Sequence, residues 1–367
     1  MKRRDFVVAG LVGTGAWSLP AACTPTEVAD RRRALLRSWG EQFLLHEYAE
    51  FEQACRDLVD RLAELRTEPS TAGLEAAQQA WWRARTPWKR AEVFAFGPYS
   101  EEPQRLGPKI DFWPARPDTV ERVLVDDTEL TAETVASLGA PAKGLHALEY
   151  LLFQPDVELV GELTEVPRRA EYALALAEDL VVRAQEIAEA WAPSGGAFLE
   201  QLLEAGRASE LYPTLNAALG EVVNRMGYTI ENIRAEKLAK PLGDSAGGTP
   251  QPTVTESPFS QRSLDDIRDN LRGIEQLYFG VAERELLGLD DYLRYRGRNL
   301  SRLVRERLDA SFAAVDELEP ALESAVVSRA ADVRTLMSRL ADLQRAVQVD
   351  VINALSLTVG FNDNDGD

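Results

Sequence analysis

An all-α fold is what this sequence predicts, on three observations. Apolar residues recur at helical spacing through most of the chain. No run of strict apolar and polar alternation is long enough for a sheet strand, and clusters of Pro and Gly separate one periodic segment from the next. With 367 residues, 45% of them apolar and 28% charged, the chain can build two cores. Against 41 Lys and Arg stand 60 Asp and Glu, a formal net charge of -19. Such a balance excludes a general attraction to nucleic-acid phosphates and reads as a solvated acidic surface.

The elements follow in order. Residues 1–23 read as a signal peptide: Lys2, Arg3 and Arg4 precede an apolar run from Val7 to Leu19 that is too short to span a bilayer. Arg3-Arg4-Asp5-Phe6-Val7 resembles a twin-arginine export signal, and Leu19-Pro20-Ala21-Ala22-Cys23 resembles a lipoprotein cleavage box. The expectation is export to the periplasm or cell envelope, with membrane attachment only through a lipid anchor at Cys23; plain export with cleavage nearby is the alternative. Cys55 is then the one cysteine left, so no internal disulfide forms, and its place beside Phe51, Leu58 and Val59 makes it a small core residue.

Residues 27–193 read as a first helical bundle. One helix occupies Asp30 to Leu65, and Glu68-Pro69-Ser70-Thr71 breaks it. A second runs from about Ala72 to Phe96, rich in Trp81, Trp82, Trp88, Phe94 and Phe96, with Pro87 expected to kink it. Glu92 shares the face of Trp88 and is expected to be partly buried. Seven breakers between Gly97 and Asp118 surround Ile110-Asp111-Phe112-Trp113, a long ordered loop of the kind that carries function. Short turns lead to a greasy helix, Lys143 to Phe153, and then to an amphipathic one from Val166 to Trp191.

Residues 194–367 read as a second bundle, entered through Pro193-Ser194-Gly195-Gly196. Helices are expected over 197–210, 215–238, 264–279, 299–318 and 322–357, with a mobile Pro/Gly-rich loop at 240–262. Leu271 to Phe279 can be laid on Leu145 to Phe153 so that Glu275 falls on Glu149 and Arg272 on His146, an offset of 275 minus 149, or 126 residues. Two four-helix-bundle-like halves related by duplication would explain this, with Arg272 and Glu275 as an ion pair replacing a second site.

The Lys143 to Phe153 helix carries one of only two histidines and a glutamate among apolar neighbours. His146 and Glu149, at i and i+3, can touch one ion or each other, and a buried carboxylate has to be protonated, paired, hydrogen-bonded or metal-bound. A hydrolytic zinc site of the His-Glu-x-x-His or His-x-x-Glu-His type needs a second histidine where Tyr150 stands, and no Gly-x-Ser-x-Gly nucleophile motif occurs.

Gly144-Leu145-His146-Ala147-Leu148-Glu149 reads as the Gly-x-His-x-x-Glu motif of the imelysin family. Ala80-Trp81 through Trp88, Glu92 to Pro98, Ile110 to Pro114 and Gly360 to Asp367 agree with it, so the resemblance covers most of the mature chain. It implies an envelope protein of two helical bundles with a site near the motif helix at their interface, and it attaches iron uptake and peptidase activity to the family. His146, Glu149, Glu92 and Asp111 are the residues expected to hold a metal. Three carboxylates and an imidazole suit iron or manganese and, less selectively, zinc. The expected partners are a metal ion or an iron carrier such as haem, together with envelope transport proteins. A metallopeptidase and a purely structural interaction module are the alternatives.

Overall fold

The computed structural model describes residues 24–154 and 157–358. The expected signal peptide, Cys23 and the acidic Asp363, Asp365 and Asp367 lie outside the described residues. Helices make up the fold, and among the described residues the only β-type pairing is an isolated bridge between Val281 and Leu286. No described helix is long and apolar enough to cross a membrane.

The longer helices are α1 (Pro25–Ser38), α2 (Leu45–Thr67), α3 (Thr71–Ala91), α4 (Gly144–Leu152), α5 (Pro167–Trp191), α6 (Leu215–Asn232), α7 (Ser263–Phe279), α8 (Ser301–Asp316) and α9 (Ala330–Arg345). Thr24 caps α1 with a capping box closed by Glu27, and Ser70 and Thr214 cap α3 and α6 through their side chains. Helices α2, α3, α4 and α5 pack together, as do α6, α7, α8 and α9, and the pairing of α3 with α7 joins the two groups. Trp39, Trp81, Trp88 and Trp191 are fully buried, and Cys55 is a buried free thiol. Each such aromatic carries 150–250 Å² of surface out of water, on the order of several kcal/mol.

Two departures from the sequence expectation lie close to the site. Pro87 does not kink or divide its helix: α3 runs unbroken from Thr71 to Ala91, then tightens into a 3₁₀ turn at Glu92–Phe94. The carbonyl that Pro87 leaves without an amide partner is that of Arg83, four residues earlier, and both residues line a surface groove where water can meet it. The stretch expected to be a mobile loop packs its second part into the protein, burying Thr255, Glu256 and Ser257. Composition is blind to this, because each of these polar side chains finds a specific partner inside.

Candidate metal centre

The motif glycine sets the geometry. Gly144 has φ +77, and a Cβ there would lie 2.3 Å from the Ile110 carbonyl oxygen, so the start of α4 rests directly on the backbone that precedes Asp111. The Trp81 indole N–H donates to the Leu145 carbonyl at 2.9 Å, fixing α4 against α3. Gly273 plays the matching part on α7, where a Cβ would lie 2.3 Å from the Arg90 carbonyl oxygen. The α3 face that carries Arg85, Lys89 and Glu92 therefore meets Asp266 and Asn270 of α7 at close range.

His146 is buried between two carboxylates. Its Nδ1 lies 3.1 Å from Glu149 Oε2, and its Nε2 lies 2.9 Å from Asp111 Oδ1. The second contact is an ion pair of poor alignment, so Nε2 has no true hydrogen-bond partner. Burial alone would depress the imidazole, but the Asp111 charge outweighs it, with the Glu149 contact adding to it, and pushes its pKa up to about 9. Glu149 Oε1 accepts from the Phe259 and Ser260 amides at 3.1 and 2.9 Å and from the Ser260 hydroxyl at 2.8 Å. Glu149 thus ties the motif helix to the 249–261 segment.

Asp111 Oδ2 accepts from the Trp88 indole at 2.8 Å and lies 3.2 Å from Lys89 Nζ, while Oδ1 also pairs with Arg85. Burial would raise this carboxyl, but Arg85, Lys89 and His146 hold it well below the usual range. Arg85 and Lys89 in turn stay charged although burial opposes it, because Asp111, Asp266 and Glu256 surround the first and Asp111, Glu256 and Glu92 the second. Glu256 shares Lys89 with Asp111, and its Oε2 sits 2.9 Å from Lys237 Nζ without hydrogen-bond alignment. The lysines and Arg85 hold Glu256 below its ordinary value against burial.

One ligand atom each from Asp111, His146 and Glu256 lie within 4.8 Å of one another. A ring nitrogen and two carboxylate oxygens form a donor set for a borderline or hard divalent ion. The fit rests on two buried polar atoms that the protein leaves without hydrogen bonds, His146 Nε2 and Glu256 Oε2. Glu149, on the other ring nitrogen, has the place of a carboxylate that orients a ligating imidazole. Glu92 joins the group only through cations and an amide: it contacts Lys89 and lies 3.2 Å from Lys237 and 2.7 Å from the Asn270 amide nitrogen.

Of the four residues expected from the sequence, His146, Glu149 and Asp111 are in direct contact, and Glu92 stands behind Lys89. Glu256, Arg85, Lys89 and Lys237 were missed. Arg85 and Lys89 carried a signal, since they follow Trp81 at helical spacing onto its buried face; Glu256 carried none, lying in a segment of loop composition. In the second half, Arg272 and Glu275 do form an ion pair, which Arg305 extends. His46 lines the surface groove with Arg83 and Thr86 instead.

Comparison with known proteins agrees with this architecture. Residues 44–349 match the Imelysin (peptidase M75) family model. The chain is 28% identical over 306 residues to iron-regulated protein A of Synechococcus elongatus, covering 83% of this chain and 79% of that one. Two crystal structures share the fold: an iron-regulated protein A precursor from Parabacteroides distasonis (TM-score 0.76, 19% identity, 91% of this chain and 97% of that one) and an imelysin-like protein from Psychrobacter arcticum (TM-score 0.72, 19% identity, 91% and 98%). The family match over most of the length, on a helical fold built around Gly-x-His-x-x-Glu, makes this chain a member of the imelysin family.

Proposed function

We propose that this imelysin-family protein binds a transition-metal ion, iron in preference and zinc as a weaker match, in the service of uptake at the cell envelope. The observation that carries the reading is His146 Nε2, buried without an aligned hydrogen bond beside Asp111 and Glu256. Asp111, His146 and Glu256 would hold the ion, Glu149 would orient the imidazole, and Glu92 would complete the charge around it through Lys89. An ion bound there would add positive charge beside Asp111 and Glu256 as the imidazole gives up its proton. The name of the Synechococcus relative, an iron-regulated protein, supports iron as the cargo. The Arg3-Arg4 motif and Cys23 support export by the twin-arginine route and attachment through lipid, which would place the ion site beside envelope transport proteins.

Burial of the whole group favours holding an ion over hydrolysing a peptide, because a peptidase has to bring a scissile bond to its metal. The test is metal analysis of the purified chain beside the His146→Ala, Glu149→Ala double variant. Stoichiometric iron or manganese that vanishes in the variant is expected. Unchanged metal content overturns the proposal in favour of a structural role, and chelator-sensitive cleavage of an unfolded protein that Glu149→Gln abolishes overturns it in favour of a metallopeptidase.

A further inference from the structure

The buried carboxylates enclose two cation positions, not one. The first lies among Asp111, His146 and Glu256. The second is filled by the protein itself: Lys89 Nζ, fully buried at the end of α3, contacts Glu92 Oε1 and Glu256 Oε1 and lies 3.2 Å from Asp111 Oδ2. Asp111 turns Oδ1 toward His146 and Oδ2 toward Lys89, so it bridges the two positions, and Glu256 belongs to both. An ammonium brings three donors and one positive charge, and three carboxylates receive them here. The same three oxygens, with the ammonium removed, form a hard ligand set for a divalent ion. The second oxygen of Glu256, buried without an aligned hydrogen bond, lies 2.9 Å from Lys237 Nζ.

We infer that Lys89 determines how many metal ions this site holds: its ammonium is a tethered cation in the second position of a carboxylate-bridged pair, and limits the protein to one ion. The first position rests on the function proposed above; the second stands on the contacts of Lys89 alone. A consequence is that the native chain lacks the paired ions that clamp attacking and leaving oxygens in two-metal hydrolases.

The test is Mn(II) stoichiometry of the full-length chain and of Lys89→Ala, by metal analysis after gel filtration. One ion in the native protein and two in the variant are expected. One ion in both overturns the inference. No ion in the native protein and one in the variant upholds the inference and overturns the His146 site, so the two failures are distinguishable. Removing the ammonium takes one positive charge from three carboxylates and leaves them Arg85, His146 and Lys237, so the variant is also refolded with and without Mn(II). Recovery only with Mn(II) supports the assignment, and failure to recover with Mn(II) overturns it. The Lys89→Ala, Glu92→Gln double variant removes a carboxylate with the ammonium and is expected to return to one ion; two ions in it overturn the assignment.

Discussion

His146 Nδ1 and Glu149 Oε2 lie 3.1 Å apart on one face of a single helical turn, and the other oxygen of Glu149 holds three donors from Phe259 and Ser260. One carboxylate therefore sets the imidazole and anchors the segment that carries Glu256. Glutamine at 149 can accept on one side only; its amide N–H₂ faces donors on the other. Glu149→Gln is expected to weaken Mn(II) binding by roughly ten- to a hundredfold while circular dichroism keeps its helical form. Titration with undiminished affinity would show that Glu149 does not orient the ligand.

The same imidazole predicts a pH dependence. The folded pKa of about 9 lies above the ordinary imidazole value of 6.5, so the imidazolium is favoured by folding. Its stabilising contribution is fully present below pH 6.5 and is lost as pH rises through 9, a difference on the order of 3 kcal/mol. Chemical denaturation of metal-free protein across this window is expected to show falling stability that His146→Gln flattens. Because a ligating imidazole must give up its proton, Mn(II) affinity is expected to rise over the same interval. Parallel slopes in the native chain and the variant would remove His146 as the titrating group.

Glu256 and Glu92 both pair with Lys89, which makes them a matched pair for mutation. Glu256→Gln removes one of the three grouped ligand atoms and is expected to abolish stoichiometric Mn(II) binding. Glu92→Gln keeps all three and is expected to retain it with a loss of affinity below about tenfold. Each disrupts a buried ion pair, so each is expected to lower stability by up to about 3 kcal/mol. Equal loss of binding in both variants would mean that net charge, not ligation, governs the site.

The helices and much of the site were legible in the sequence because both rest on periodicity. Helical spacing put Glu92 on the partly buried face of Trp88, and it placed His146 beside Glu149. Asp111 was legible from its setting, a loop too apolar and too aromatic to be disordered. Glu256 was not, because Lys240 to Gln261 has the composition of a linker, and its order comes from partners distant in sequence. Ser257 donates its hydroxyl to Asp266, Thr255 donates to Glu323 at 2.6 Å, and the Trp113 indole reaches the Thr255 carbonyl at 2.8 Å. Glu92 was placed too near the imidazole for a related reason: facing direction follows from helical spacing, but the intervening Lys89 is a matter of tertiary packing. Buried cations of this kind run against composition-based expectation, since Lys and Arg are almost never fully buried unless paired.

The glycine of the motif yields the last prediction, and it separates two reasons for a glycine. Gly144 and Gly247 both have positive φ, +77 and +64, yet a Cβ at Gly144 would lie 2.3 Å from the Ile110 carbonyl oxygen and one at Gly247 would meet nothing within 4 Å. Left-handed backbone alone costs a non-glycine residue about 1–2 kcal/mol. Forcing a methyl group into the α4 contact adds a further 1–3 kcal/mol as the helix shifts off the loop. Gly247→Ala is therefore expected to cost about 1–2 kcal/mol with Mn(II) binding unchanged. Gly144→Ala is expected to cost about 2–5 kcal/mol in urea denaturation, and to weaken binding as well, because the displaced helix carries His146 away from Asp111. If the two variants lose equal stability and both bind Mn(II) as the native chain does, the close approach of Gly144 to Ile110 does not set the distance between the imidazole and its carboxylate.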